Sequence, residues 1–441
     1  MSRPAAGRLR LPKAPAVLED ELTGGLRAIG VRRRTVPLVQ VRLAFAVAAD
    51  SVAKGASPTV LAESILAGTA RHDRGELAEI VEGLGGRLWA SYDRDQFVLN
   101  SSVLAPNLRP LLRILAEVLH TAAYPAEEVR SDRDRLANET LMSLSQPEVM
   151  ADEALRRRLY AGHPYAAGIP RPGALRRVSA DGLRTLHRAM LNPRSGLLVL
   201  VGDVDPRRAI LTAAEELAPW LGRSRKAGAG LAPVPPVRLG PISLVGREGS
   251  VQSNIRLARS APARSDADWP ATALANLVFG GLFASRLVEN LRERHGYTYS
   301  PGSGVRHGRA GSSLVIEADV ARDATAAALV ETRYELGRIA VGGVSVEELD
   351  SARRYAVGAF TFLAATQSGL AGTLATLGLA GIGPGYLASY PAALAKVTKA
   401  EVEAAARHYF APSDLVTVIV GDAEAVAGPL SAVDTVKVSS A

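Results

Sequence analysis

Along the first half of the chain, apolar positions switch repeatedly between the period of a strand and the period of a helix. Residues 36–49 are β-branched or small with partial alternation and predict a strand. A helix is predicted over 57–67, stopped by Gly68, and a second, amphipathic one over 76–84, ended by Gly85 and Gly86. Strand patterns at 87–91 and 96–103 lead into a helix opened by Pro106 and Asn107, whose Leu108, Leu111, Leu112, Leu115 and Val118 share one face. Helical patterns follow over 125–144, 147–161 and 179–190. The half closes with the continuous apolar strand 196–201 and the turn Gly202-Asp203.

The second half repeats this plan. Asn192-Pro193 precedes an apolar strand and Gly202-Asp203, and Ala411-Pro412 precedes another and Gly421-Asp422. Pro193 and Pro412 stand 219 positions apart, as do Gly202 and Gly421, while the helix-ending Gly68 and Gly280 stand 212 apart. Small loop insertions account for the difference, and three matches in one order mark an internal repeat. Residues 224–241 are too dense in Pro and Gly to continue a helix or a central strand and predict a linker. The predicted fold is α+β: two homologous α/β-sandwich halves, each a mixed sheet with helices packed on it, joined by that linker in a clamshell. The expected boundaries are a flexible tail over 1–24, a first domain over 25–223, the linker over 224–241, a second domain over 242–425 and a C-terminal tail over 426–441. A cleft between such halves is the default ligand site.

Composition narrows the function more than the fold. A chain of 441 residues exceeds one core, and 47% hydrophobic with 22% charged residues suits a globular protein. The net charge of +8 comes from arginines scattered among Glu and Asp, which reads first as a solvated surface. No nucleic-acid motif is present, and nucleic acid is not an expected partner. The chain has no cysteine, which excludes disulfides and thiolate ligands. The basic N-terminal residues lack the apolar core of a secretory signal, and no transmembrane span is expected, so the expected location is cytoplasmic.

The densest candidate chemistry lies in residues 276–300, which read as helix, two-glycine break, second helix and strand. After Gly280 and Gly281, apolar Leu282, Phe283, Leu287, Val288 and Leu291 recur at helical spacing, which assigns Phe283 and Leu287 to the core. Gly296 stops the run before the β-favouring Tyr297, Thr298 and Tyr299. Arg292 and Tyr299 then flank a helix-to-strand corner, where a guanidinium and a phenol can hydrogen-bond a peptide carbonyl or an oxyanion. The plainer alternative is a surface arginine beside a half-buried tyrosine. Strand alternation puts Tyr297 on the face of Tyr299, as a candidate substrate-binding residue or a core one. Arg294 fits a solvated charge at a helix end. The glycine-rich segment 369–385 fits either a substrate-facing loop or a close helix contact.

With two halves that each close on a strand and Gly-Asp, and with Ser285-Arg-Leu-Val-Glu-Asn-Leu-Arg-Glu-Arg-His-Gly-Tyr-Thr-Tyr299, the chain resembles the insulinase and pitrilysin family of zinc peptidases over about residues 25–422. In that family the first half carries an inverted zinc motif, H-x-x-E-H, and a later Glu completes the ligand set. An Arg and a Tyr of the second half bind substrate and steady the transition state, roles the resemblance assigns to Arg292 and Tyr299. Aligning Gly68-Thr69 with the family's Gly-Thr puts Thr59-Val-Leu-Ala62-Glu63 where the zinc motif belongs, with both histidines and the catalytic glutamate missing. Glu139 falls about where the third ligand would sit, and the seven histidines offer no pair three or four residues apart.

The resemblance therefore implies a non-catalytic, substrate-binding subunit of a heterodimeric zinc metalloendopeptidase. No metal is expected in this chain; zinc is expected in a homologous H-x-x-E-H partner subunit, to whose site Arg292 and Tyr299 would reach. Relatives of this kind process peptides, including leader segments, and the net positive charge suits an acidic leader. The alternative is a metal-free structural subunit of the same family with no proteolysis, against which the presence of both Arg292 and Tyr299 weighs. A third is a lone zinc enzyme with unconventional ligands.

Overall fold

The computed structural model describes residues 7, 9–226 and 228–440. Each half is a six-stranded mixed sheet with helices packed on it. The first sheet contains β1 (Val17–Leu22), β2 (Leu26–Arg32), β3 (Leu38–Ala46), β4 (Arg87–Tyr92), β5 (Gln96–Leu104) and β6 (Gly196–Gly202), in the order β1-β2-β6-β3-β5-β4. The second contains β7 (Ile242–Gly246), β8 (Gln252–Ala261), β9 (Gly302–His307), β10 (Ser312–Ala321), β11 (Val416–Gly421) and β12 (Val436–Ser440), in the order β12-β7-β11-β8-β10-β9. Five strands of each sheet stand in the same order under the repeat, and in both the closing strand lies parallel to one neighbour and antiparallel to the other. The sheets differ at one edge, where β1 runs antiparallel to β2 but β12 runs parallel to β7.

Every residue of β6 and of β11 is buried, so both faces of each sheet must be covered. One face meets helices of its own half, and the other is closed by a helix borrowed from the opposite half. The helix Pro147–Leu159 of the first half sets Leu155 and Leu159 against Ala258, Val315, Val416 and Val418, and Ala151 against Val245 and Val420. In return the helix Gln367–Leu379 sets Leu370, Ala371, Leu374 and Ala375 against Ile29, Val199 and Val201 of the first sheet. This helix accounts for much of the glycine-rich segment 369–385. A Cβ on Gly378 would stand 2.4 Å from Leu197 Cδ2, so the small residues let helix and sheet approach closely.

Both expected tails need correction. Val17–Leu22, placed in the flexible segment 1–24, is the edge strand β1, and residues 1–6 and 8 of that segment lie outside the described residues. Within 426–441, the helix Ala423–Ser431 continues and Val436–Ser440 forms β12. Between Leu221 and Ile242 the described residues form no helix or strand, and Val234 N–H donates to Ala310 O at 2.8 Å.

Candidate functional site

The helix Trp269–Asn276 widens into a π-type turn over Leu277–Gly281, and Leu282 then turns extended. Asn276 clamps the opening of β9: its Oδ1 accepts from Ser303 Oγ at 2.7 Å and its Nδ2 donates to Ser303 O at 3.3 Å. A Cβ on Gly280 would lie 2.5 Å from Ser303 Oγ, so glycine is what lets the strand pass under the break. Beyond it, Leu287, Val288 and Leu291 are buried, Arg286 holds Glu348 through two bonds of 2.7 Å, and Asn290 Nδ2 donates to Glu331 and the fully buried Glu335. This second helix is therefore held along its buried face, and the side chain of Arg292, near its end, is 17% exposed.

Phe283 is 79% exposed, a correction to its core assignment, because the break takes it off the helical face that buries Leu287. Its ring instead floors the guanidinium of Arg292, whose carbon lies 3.9 Å from the ring centroid. Arg292 Nε donates to Glu293 Oε1 at 2.7 Å, and its two terminal nitrogens have no partner among the described residues. Tyr299 is 85% exposed, and its hydroxyl likewise has no partner among the described residues. No hydrogen bond joins Arg292 to Tyr299. The strand expected at 297–299 is a second correction. Residues 297–299 are not a strand: Tyr297 N–H donates to the helical carbonyl of Leu291 at 2.9 Å, and β9 begins only at Gly302. The Tyr297 ring, half-buried, packs against the second core and stacks on His295 at 4.9 Å. Hydrogen-bond donors without a partner among the described residues thus stand at Arg292 and Tyr299, and the half-buried Tyr297 hydroxyl has none either.

Ser300, next to Tyr299, opens onto a cavity of about 440 Å³ between the halves. Its walls are charged. Arg256, with only 5% of its side chain exposed, donates to Asp319 at 2.8 Å within its own half and to Asp152 at 3.0 Å on the borrowed helix. Burial works against the charge of Arg256, but Asp319 and Asp152 more than offset it and hold its pKa above the ordinary arginine value. Asp152 also meets Arg306 at 3.4 Å, which in turn meets Glu317 at 3.0 Å. Arg156 pairs with Glu153, yet burial first, and then Arg94, push it down to about 10. Arg42 stands in β3 where Arg256 stands in β8, but it donates only to Val41 O, Ser101 O, Gln40 Oε1 and Ser368 Oγ.

At the position of the family's zinc ligands, the helix Ala56–Ser64 places Thr59, whose hydroxyl donates to Gly55 O at 2.9 Å. Ala62 offers no ligand. Glu63 and Glu139 do approach each other, but through Arg135, which reaches Glu63 at 3.1 Å and Glu139 at 2.9 Å. The hydrogen bond to Glu139, with Glu63 adding to it, raises the Arg135 pKa. A guanidinium thus supplies the positive charge between the two carboxylates, and among the described residues no three His, Asp or Glu side chains form a metal-binding group. The residues present do not fit zinc.

These features define a peptidase-like chain without the ligand set of a zinc enzyme. Residues 60–173 match the family model for insulinase (peptidase family M16), and residues 177–355 match that for the peptidase M16 inactive domain; the chain belongs to this family. Among solved structures it is similar to the peptidase M16 inactive domain from Pseudomonas fluorescens, at 25% identity and a TM-score of 0.83 over 92% of this chain and 98% of that one. A Helicobacter pylori protease shares the fold, at 18% identity and a TM-score of 0.80 over 93% and 100% of the two chains. An uncharacterized zinc protease of Mycobacterium leprae is 24% identical over 294 residues, 65% of each chain. One of Streptomyces coelicolor is 24% identical over 309 residues, 64% of this chain and 63% of that one. The chain spans just under two thirds of the length of these curated relatives. The stretch Trp269–Arg294 is long and apolar enough to cross a membrane by composition, but 67% of its most apolar window is buried in the second half.

Proposed function

We propose that this chain is the substrate-binding, non-catalytic subunit of a two-subunit, cytoplasmic zinc endopeptidase that processes peptides. A homologous H-x-x-E-H subunit carries the zinc, and Arg292 and Tyr299 donate hydrogen bonds to the peptide held there. One contrast between the halves supports this. Arg135 occupies the space between Glu63 and Glu139 in the first half, while Arg292 and Tyr299 keep donors with no partner among the described residues in the second. Arg292 is also held in place before any ligand arrives, by the Phe283 ring and by Glu293.

The test is to co-express the chain with an H-x-x-E-H homologue encoded nearby and assay the copurified pair on peptides that neither subunit cuts alone. Tyr299→Phe and Arg292→Ala should each lower turnover by about 10²- to 10³-fold, the usual cost of one such donor. Turnover unchanged in both variants would refute the role. No cleavage by any copurified pair would favour the structural alternative.

A further inference from the structure

A half-open cavity of about 630 Å³ lies where the helices Leu108–Thr121 and Ala180–Met190 end and the linker begins, and it belongs to no part of the peptidase site. Four arginines and two histidines line it, with no carboxylate in the wall. Two of the arginines are engaged by the helix ends. Arg184 donates to Ala123 O and Tyr124 O and pairs with Asp181, and Arg223 donates to His120 O and His120 Nε2, both at 3.0 Å. The other two retain unused charge. Arg188 spends only its Nε, on Arg184 O at 3.2 Å, and the side chain of Arg225 has no partner among the described residues. The backbone of Arg225 is held, because Asn192 accepts from its N–H at 3.1 Å and donates to its carbonyl at 2.9 Å, while its side chain is exposed. Arg188, Arg223 and Arg225 therefore have no carboxylate partner among the described residues.

The histidines complete the pattern. His120 accepts from Arg223 on Nε2, which leaves its proton on Nδ1, an atom buried from solvent on the side of the Pro219 carbonyl. His187 gives its Nε2 proton to Leu119 O at 2.9 Å and accepts from the Tyr124 hydroxyl at 2.7 Å, so it too is neutral. Burial, and after it the charge of Arg223, hold the His120 pKa below the ordinary histidine value; burial, then Arg223 and Arg188, do the same at His187. The cavity is thus positive before anything enters it. Tyr124, which links these groups, is the one described non-glycine residue with positive φ, at 51°, a conformation that persists only where its surroundings impose it.

We infer that this cavity binds a small molecule carrying two or more anionic groups, phosphate or carboxylate, held by Arg188 and Arg225, with Arg223 adding its charge from the same wall. The volume exceeds that of a single inorganic phosphate and leaves room for an organic scaffold against Leu119 and Leu191.

The test is calorimetric titration of the full chain with pyrophosphate and, separately, with citrate, at constant ionic strength so that screening does not vary. The expected result is saturable one-to-one binding of at least one probe, weakened about tenfold or more in Arg188→Gln/Arg225→Gln, since each arginine contributes a charge-assisted hydrogen bond. The charge-matched pair Arg32→Gln/Arg407→Gln, at exposed positions remote from the cavity, should bind as the parent does. The His120 pKa, followed by NMR, should rise on saturation because the anion offsets Arg223. The tighter probe identifies the anionic group. Absence of saturable binding by both probes, or equal weakening in the control pair, would overturn the site.

Discussion

Replacing Asp152 with Asn tests how the halves are held together. The carboxylate of Asp152 is the first-half partner of Arg256, whose side chain is 5% exposed, while Asp152 itself is 31% exposed. A hydrogen bond to a charged group contributes about 1.5–3 kcal/mol, and partial hydration of Asp152 puts its loss near the bottom of that range, about 1.5–2 kcal/mol. Arg256→Met removes the bonds to both Asp152 and Asp319 and leaves two carboxylates that water partly reaches, at a cost of about 3 kcal/mol. Arg306→Gln breaks pairs whose arginine is 47% exposed and should cost under about 1 kcal/mol. Urea denaturation followed by tryptophan emission reads both halves, since Trp89 and Trp220 lie in the first and Trp269 in the second. The double variant Asp152→Asn/Arg256→Met should lose about 1–2 kcal/mol less than the two single losses together. If Asp152→Asn is no more costly than Arg306→Gln, or if Asp152→Asn and Arg256→Met are additive, the ion pair does not join the halves.

Three further outcomes are expected. His307, in β9, has its Nδ1 bonded to Ser312 Oγ at 2.9 Å and its Nε2 unpartnered, and burial first, then Arg264, push it down to about 3. Below the unfolded value near 6.5 only the unfolded chain takes up this proton, so stability present above pH 6.5 should fall by up to about 1.4 kcal/mol per pH unit toward pH 3. Urea midpoints at pH 7 and pH 5 should therefore separate less in His307→Asn, and equal separation would refute the assignment. Gly280→Ala should lower the unfolding free energy by about 1–3 kcal/mol, because its Cβ would press on Ser303 of β9; an unchanged urea midpoint would show that the break has slack. Arg135→Gln should cost less than about 1 kcal/mol at this exposed site, and neither it nor the parent should retain an equivalent of zinc after dialysis, as elemental analysis would report.

Strong periodicity made the first half legible. The strand pattern at 96–103 and the helix pattern at 125–144 lie within about a residue of the observed Gln96–Leu104 and Ala126–Leu144. Weak edges were not legible. In β1 the residues Glu19, Asp20 and Glu21 face solvent, and Val436–Ser440 is largely exposed, so neither shows the alternation of a buried strand. Around the site, β-propensity at 297–299 lost to the bond between Tyr297 N–H and Leu291 O, and helical spacing read across the glycine break misplaced Phe283. Periodicity also says which face of a helix is apolar but not which sheet it covers, so the exchange of helices between halves left no sequence trace. One signal was available and missed. Val41-Arg42-Leu43-Ala44 recurs as Ile255-Arg256-Leu257-Ala258, which puts a charge at matching points of two buried strands. The bridging of Glu63 to Glu139 by Arg135 required coordinates, since Glu63 is distant in sequence from the other two.

The reciprocal loan of Pro147–Leu159 and Gln367–Leu379 makes each half a lid for its sibling. A protease that nicked the connector after residue 226 would release no free fragment, because each piece would still grip the other. A solitary half would present a bare apolar sheet to water until a second copy arrived, so a half-length forebear of this duplicated plan would have lived as an interlocked dimer.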